Sequence, residues 1–324
     1  MTDAPSVNLP DRTVLLDGGM GRELRRRGVP ILETIWSANA LVVSPETVSE
    51  IHADYIAAGA DVIITNTYGV IRAALAEEGI EDRFAELNLM ACTLAQEARA
   101  KGGRPVLIAG SLPPLAGSYR PDRVGDFGRI EPLYREQAEI LMPHVDLFLC
   151  ETMSSAAEGL AAATAAATTG RPVWVSWTLH ENASGRLRSG ETITEAARAL
   201  DHLPISGFMV NCCVPESITA AMAELVALGK PAGGYANTFV PVPPDWTLDG
   251  DKDSDGLIPL RDDLGPAPYA EHVGHWLDAG ARIICGCCGT PPDHIAKLRE
   301  LIPRTRSEER RVRKECRARG SPYH

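Results

Sequence analysis

Long apolar runs and positive charge are both in short supply in this sequence of 324 residues. No stretch reaches the roughly 18 uninterrupted apolar residues of a membrane-spanning helix, so a membrane protein is disfavoured. The 32 Lys and Arg residues are outnumbered by 43 Asp and Glu residues, which leaves a formal net charge of −11. Such a balance also disfavours a nucleic-acid-binding surface.

An export signal is missing from the start of the sequence as well. The stretch MTDAPSVNLPDR has neither the basic nor the apolar region of a secretory signal, so we expect a cytoplasmic protein. In a reducing compartment the eight cysteines are expected to be free thiols or metal ligands. A hydrophobic content of 44% and a charged content of 23% are ordinary for a soluble globular protein with a sizeable core.

Eight short apolar segments bounded by turn residues are spread along the chain. They read TVLLDGG, DVIITNT, PVLIAGS, DLFLCET, PVWVSWT, GFMVNCC, PAGGYAN and RIICGCC. Their continuous apolar character is typical of strands buried on both faces of a parallel sheet. Helix-compatible segments lie between them; Ser44 can cap one, Pro45 can begin it and Gly59 can end it. The alternation predicts an α/β fold, a single-domain (β/α)8 TIM-type barrel over residues 1–303, with a doubly wound open sheet as the second choice.

Two segments stand out by their charge. Residues 304–324 are basic and nearly devoid of apolar side chains, which predicts a disordered tail or a solvated helix extension with no assigned role. Residues 251–262 match the calcium-loop pattern in their acids and glycine. Pro259 and the proline-rich segment before the loop prevent the flanking helices of a calcium site, so we expect a solvated acidic loop.

Polar and reactive residues follow several of the predicted strands. A barrel builds its site from the loops after the strands, so these side chains should meet at one mouth. The residues in question are Asp17, Thr65 to Thr67, Glu151, His180, Cys212, Cys287 and Cys288.

The segment ARIICGCCGT places three cysteines within four residues at the end of the last predicted strand. A disulfide between neighbours is disfavoured, because adjacent Cα atoms are about 3.8 Å apart and disulfides need roughly 4.4–6.8 Å. Cys287 and Cys288 can face one metal only if the backbone turns between them, and Gly286 and Gly289 allow such a turn.

Cys212 ends the sixth predicted strand and could converge with the terminal pair, because alternate strands of a barrel contribute to the same layer. Three thiolates with one open position suit a catalytic zinc ion, whereas the alternative is that these cysteines are small buried hydrophobes. The alternative is preferred for Cys92 and Cys150. By the alternation of side chains, Cys285 is expected to point into the helix layer and Cys213 away from Cys212.

Five motifs, LLDGGMGREL, ITNTYGV, ET, NCC and GCCGT, occur in this order between about Thr13 and Ile302. Together they resemble the zinc-dependent homocysteine S-methyltransferase family, which includes betaine- and S-methylmethionine-type enzymes and the homocysteine module of cobalamin-dependent methionine synthase. The resemblance implies a (β/α)8 barrel, zinc held by Cys212, Cys287 and Cys288, and methyl transfer to a thiol. Cys285 stands where the family usually has glycine, and a spare thiol there predicts faster oxidative loss of the metal.

The resemblance also implies a binding site for the amino acid. The ammonium group would pair with Asp17 and Glu151, since an unpaired charge in a closed site is costly. The carboxylate would lie near the backbone of Gly18 and Gly19 and near Thr65. Asn211 is grouped with these substrate residues, although orienting the cysteine loop from behind is its more natural role.

The resulting hypothesis is a zinc-dependent enzyme that transfers a methyl group from a small donor of the S-methylmethionine or betaine type to L-homocysteine, giving methionine. No nucleic-acid or membrane partner is expected, and the sequence does not indicate an oligomeric state. Two alternatives stay open. One is the homocysteine-binding component of a multi-protein folate- and cobalamin-dependent methionine synthase, and the other is a non-catalytic zinc-binding barrel.

Overall fold

The computed structural model describes residues 12–243 and 258–302. Within these ranges eight strands form one parallel sheet. Their bounds are β1 Val14–Leu15, β2 Val62–Ile64, β3 Leu107–Leu112, β4 Leu147–Met153, β5 Val173–Trp177, β6 Ile205–Asn211, β7 Ala232–Tyr235 and β8 Ile283–Ile284. Each of the eight predicted apolar segments overlaps one of these strands.

The sheet closes on itself. Its strand order is β1-β8-β7-β6-β5-β4-β3-β2, with Val14 opposite Ile283 where the first and last strands pair. The two ends of that order meet through a parallel bridge between Leu16 and Val62. The predicted single-domain (β/α)8 barrel is therefore confirmed, and the open-sheet alternative is wrong.

Helices follow the strands and surround the sheet. Among the described residues they are α1 Met20–Arg26, α2 Asn39–Val43, α3 Pro45–Ala58, α4 Arg72–Glu77, α5 Phe84–Lys101, α6 Phe127–Leu141, α7 Ala156–Ala167, α8 Ile193–Arg198, α9 Pro215–Ala227, α10 Pro266–Asp278 and α11 Pro292–Leu301. None of the helices in this part of the chain is long and apolar enough to cross a membrane.

Helix α3 begins and ends as the sequence predicts, with Pro45 in its first turn and Gly59 in the left-handed conformation at φ 113°. Ser44 precedes the helix but makes no side-chain hydrogen bond to its backbone. Its hydroxyl instead contacts the side chains of Glu46 and Thr47 at 2.8 Å each. The Ser44 side chain therefore does not cap the helix by accepting from its unpaired first backbone amides.

Two apolar layers hold the barrel together. The interior cluster includes Val14, Leu149 and Ile283, while a larger cluster fills the space between the strands and the helices. Cys213 lies in the outer cluster, away from Cys212, as expected. The prediction for Cys285 is wrong, because Cys285 belongs to the interior cluster together with Ile283. Residues two apart in a strand share a face, so Cys285 follows Ile283 inward.

The predicted tail, 304–324, lies outside the described residues, and so does most of the predicted acidic loop, since residues 244–257 are not described.

Candidate metal and substrate site

Three cysteine sulfurs converge at the carboxyl end of the barrel. Cys212 directly follows β6, and Cys287 and Cys288 lie in the loop after β8. The three Sγ atoms lie within 4.8 Å of one another, and those of Cys212 and Cys287 are 2.6 Å apart. Cys212 and Cys287 are buried, and Cys288 is partly exposed. Thiolates this close repel one another unless a cation lies among them, and soft sulfur donors suit zinc, so the donor set fits a metal ion.

Glycines allow the chain to turn at the cysteine pair. Gly289 has φ 82°, a left-handed conformation that favours glycine. At Gly286 a side chain would collide with the hydroxyl group of Thr290. That hydroxyl donates a hydrogen bond of 2.5 Å to the Cys287 carbonyl oxygen and fixes the turn. Gly289 therefore has the conformational freedom predicted for it, whereas Gly286 is required because a side chain there would not fit.

The three thiols are not electrostatically equivalent. Hydrogen bonding with Cys212 and Cys287 holds the pKa of the Cys288 thiol well below its ordinary value. Hydrogen bonding among the three thiols and burial raise the pKa of Cys287 well above its ordinary value. The close approach of the three thiols thus makes it easier for one of them to lose its proton.

Asp17 follows β1 and presents its carboxylate to the same cavity as the cysteines. Its Oδ2 accepts a hydrogen bond of 2.9 Å from the Ile64 amide. Its Oδ1 is buried and accepts no hydrogen bond from the described residues. Burial, and then the neighbouring Glu151, raise the pKa of Asp17 well above its usual value. A buried acceptor without a donor is suited to an incoming cationic group.

Glu151 lies near the end of β4, in the same cavity. Its Oε1 accepts a hydrogen bond of 2.5 Å from the Ser111 hydroxyl, and its Oε2 accepts one of 3.1 Å from the Tyr235 hydroxyl. Burial raises the pKa of Glu151 to about 7. An ammonium group between Glu151 and Asp17 would relieve the cost of both buried carboxylates.

Gly18, Gly19 and Thr65 also line the cavity. A side chain at Gly19 would place its Cβ 2.5 Å from the Cys287 carbonyl oxygen, so glycine lets the β1 loop pack directly on the cysteine loop. The Gly19 amide already donates to the Thr290 carbonyl oxygen at 3.2 Å. Of the two backbone amides, Gly18 is therefore better suited to receive a substrate carboxylate.

Two other predicted residues lie elsewhere. Asn211 is fully buried behind the cavity wall, where its side chain contacts Thr152 and Ser176. His180 is half-buried and does not line the cavity; its carbonyl oxygen accepts a hydrogen bond from Ser217. Cys92 and Cys150 lie in the outer apolar cluster, and burial raises the pKa of each thiol.

Sequence reasoning missed the two hydroxyl groups that hold Glu151. Ser111 lies on β3 and Tyr235 ends β7. Both belong to predicted strand ends, IAGS and GGYAN, so the rule that identified Asp17 and Glu151 could have found them. It also missed the aromatic lining of the cavity, which consists of Trp36, Tyr68, Tyr119, Tyr235 and Phe239.

The fold and the site together define a barrel enzyme with a three-cysteine cluster that could hold a metal ion, beside two buried carboxylates. The model of the homocysteine S-methyltransferase family matches residues 14–302. The chain belongs to the homocysteine S-methyltransferase family.

Relatives and solved structures match almost the full barrel. The homocysteine S-methyltransferase of Escherichia coli is 31% identical and the alignment covers 88% of this chain and 94% of that protein. Homocysteine S-methyltransferase 4 of maize is 31% identical, with 89% of each chain covered. The crystal structure of the metallated homocysteine methyltransferase MmuM of Escherichia coli is similar with a TM-score of 0.75 at 30% identity, covering 90% of this chain and 97% of that one.

Proposed function

We propose that the chain transfers a methyl group from a small cationic donor to the thiol of L-homocysteine, giving methionine, with zinc bound by Cys212, Cys287 and Cys288. The observation that carries the proposal is that one cavity holds both the three thiols and the two buried carboxylates. Homocysteine has a thiol at one end and an ammonium group at the other, so its two functional groups match the two halves of the cavity.

The chain's own residues would bind and orient the amino acid. Asp17 Oδ1 and the Glu151 carboxylate accept from the ammonium group, and Ser111 and Tyr235 keep the Glu151 carboxylate in place. Gly18 and Thr65 lie where the substrate carboxylate would be held. When bound, zinc supplies a Lewis acid that favours the thiolate form of a substrate thiol at neutral pH.

The transfer itself is a displacement at the methyl carbon. The substrate sulfur forms a bond to that carbon while the bond between the carbon and the donor's cationic sulfur or nitrogen breaks. The bonding pair stays on the donor atom, which becomes neutral, and the thiol proton is released. No side chain of the protein has to act as a general base for this step.

The aromatic lining favours a cationic donor, because aromatic faces attract sulfonium and quaternary ammonium groups. Arginines already lie over two of these rings, with Arg188 4.9 Å from the centre of Tyr119 and Arg22 5.1 Å from that of Phe239. Trp36 and Tyr68 are therefore the better candidates for contact with the donor. The free thiols of the described cysteines suit a reducing compartment, and we propose the cytoplasm.

The donor is identified by incubating the zinc-loaded protein with homocysteine and each candidate, S-methylmethionine or betaine, and measuring methionine by mass spectrometry. We expect methionine with at least one donor in the absence of folate, cobalamin or a second protein. Metal binding without methionine from any donor would instead favour the non-catalytic barrel.

A further inference from the structure

Strand β4 is irregular at the point where it delivers Glu151 to the cavity. Its register against β5 shifts between Cys150 and Met153. Those two residues both face the outer apolar cluster, although three positions separate them. The two residues between them, Glu151 and Thr152, therefore both line the cavity. A bulge that re-aims side chains in this way is common beside active sites.

Thr152 occupies the left-handed region of backbone space, with φ 61°. A β-branched residue is rarely found there, and such a conformation persists only where its surroundings enforce it. The other non-glycine residues with positive φ in the described parts of the chain are Trp36, Tyr119, Ala183 and Cys212. All of them except Ala183 line the same cavity, so backbone strain is concentrated at the site.

The side chain of Asn211 holds Thr152 in this conformation. Its Oδ1 accepts a hydrogen bond of 2.9 Å from the Thr152 amide, and its Nδ2 donates one of 2.8 Å to the Thr152 hydroxyl. The Ser176 hydroxyl donates a third bond, of 2.6 Å, to the same Oδ1. Asn211 has no exposed surface, and these bonds use both acceptor positions of its Oδ1 and one of the two N–H groups of its Nδ2.

Asn211 also directly precedes Cys212, whose backbone is left-handed as well, with φ 54°. The Cys212 amide donates to the Tyr235 carbonyl oxygen at 3.0 Å, and the Thr178 hydroxyl donates to the Cys212 carbonyl oxygen at 3.2 Å. The backbone of Asn211 thus leads to a thiol of the cluster, while its side chain fixes the residue next to Glu151.

We propose that Asn211 is a positioning residue that sets the separation between the amine-binding carboxylate of Glu151 and the thiol of Cys212. This inference rests on the proposed function, in which homocysteine spans those two groups. A substrate held at both ends requires a fixed distance between its two binding points, whereas a substrate held only through sulfur does not.

The test compares homocysteine with 3-mercaptopropionate, a thiol that lacks the amine, in Asn211→Ala. We expect kcat/KM for homocysteine to fall roughly tenfold or more, with the dissociation constant of homocysteine rising in parallel by calorimetry. The use of 3-mercaptopropionate and the zinc content by elemental analysis should not change. Equal losses for both thiols, or loss of zinc, would overturn the proposal in favour of a general structural role.

A second substitution makes the test independent of simple destabilisation. Glycine adopts the left-handed conformation freely, so a protein with Thr152→Gly should depend less on the hydrogen bonds from Asn211 to keep that conformation. Adding Asn211→Ala to Thr152→Gly should therefore cost less homocysteine selectivity than adding it to the parent protein. If Asn211→Ala lowers homocysteine selectivity by the same factor in the parent and in Thr152→Gly, Asn211 does not act through Thr152.

Asn88 provides a matched control. It is also fully buried, and its Nδ2 donates to the Phe84 carbonyl oxygen at 2.9 Å on α5. Asn88→Ala should lower stability without changing the preference for homocysteine. If Asn211→Ala does not fold, Ser176→Ala removes one of the two bonds that Asn211 Oδ1 accepts, together with the contact between Ser176 and Tyr235. An unchanged preference for homocysteine in that variant would count against a positioning role of Asn211.

The two hypotheses fail in different ways. If the parent protein forms no methionine from homocysteine with any donor, the proposed function is wrong. If the parent is active and the variants lose both thiols equally, only the role of Asn211 is wrong.

Discussion

The hydroxyl group of Ser111 lies 2.5 Å from Oε1 of Glu151, so a side chain of β3 orients a carboxylate of β4. Together with Tyr235 on the other oxygen, this bond fixes the direction in which Glu151 faces the cavity. Both hydroxyl groups donate, which favours the ionised carboxylate and opposes the effect of burial. Burial still dominates, and the pKa of Glu151 is raised to about 7.

This pKa predicts a pH dependence of substrate selection. Below about 7 Glu151 is protonated and neutral, so it cannot pair with an ammonium group; above that pH it is ionised and can. We expect the ratio of kcat/KM for homocysteine to that for 3-mercaptopropionate to fall as the pH drops from 8 to 6 (roughly one pH unit either side of that pKa). Because both substrates carry a thiol, the ratio cancels the effect of thiol ionisation on kcat/KM.

Glu151→Gln is the control for that profile. Because its amide does not titrate, the ratio should be low and should fall less over the same pH range than in the parent, with Asp17 left as the titrating carboxylate. A parent-like fall in the ratio in this variant would assign the dependence to another group.

The metal site makes a prediction that is independent of catalysis. The protein should bind one zinc ion per chain, and replacing Cys212, Cys287 or Cys288 by serine should remove it together with activity. Cys92→Ser is the matched control and should keep both, because Cys92 is buried on α5 in the outer apolar cluster and does not belong to the three-thiol group. Full zinc content in Cys287→Ser, measured by elemental analysis, would show that the ligand set is wrong.

Much of this arrangement could be predicted because it depends on patterns along the chain. The eight strands were recognisable as continuous apolar runs. Because a (β/α)8 barrel builds its site from the loops after the strands, Asp17, Glu151 and the cysteines were expected at one end. Gly59 was identifiable as a helix end because the left-handed conformation there favours glycine.

The remaining features depend on pairings across the barrel that no local pattern contains. At the bulge in β4, Thr152 forms hydrogen bonds with the Asn211 side chain from β6, and nothing in the letters ET indicates that contact. Tyr235 reaches Glu151 across the barrel from β7 in the same way. The direction of Cys285 was predictable from strand alternation and was misassigned, since Cys285 and Ile283 share a face.

The burial of Cys285 changes the expected redox behaviour. Its thiol is inaccessible, and its single S–H has two carbonyl acceptors within reach, Asp17 at 3.0 Å and Gly286 at 3.1 Å. Burial raises its pKa well above the ordinary value. Reactive thiols are exposed and have a low pKa, so Cys285 should not accelerate oxidation. Cys285→Ala and the parent should release zinc at equal rates under peroxide, followed with a metal-binding dye. Faster release from the parent would restore the expectation drawn from the sequence.

The amine site gives the last prediction. If Asp17 and Glu151 pair with the homocysteine ammonium group, then Asp17→Asn and Glu151→Gln keep the size of each side chain but remove its charge. A charge-assisted hydrogen bond contributes about 1.5–3 kcal/mol, so kcat/KM for homocysteine should fall by roughly ten- to a hundredfold or more in each variant. Zinc content should stay at the parent level, because neither residue belongs to the thiol cluster.

Activity with 3-mercaptopropionate distinguishes loss of ammonium binding from general structural damage in these variants. 3-Mercaptopropionate has no ammonium group, so the parent and both variants should use it equally poorly. The loss is expected to be at least as large in Asp17→Asn as in Glu151→Gln, because Asp17 Oδ1 accepts no hydrogen bond from the described residues and so is open to the substrate, whereas both oxygens of Glu151 already have donors. An undiminished preference for homocysteine in both variants would mean that the two acids are structural and that the amine is bound elsewhere.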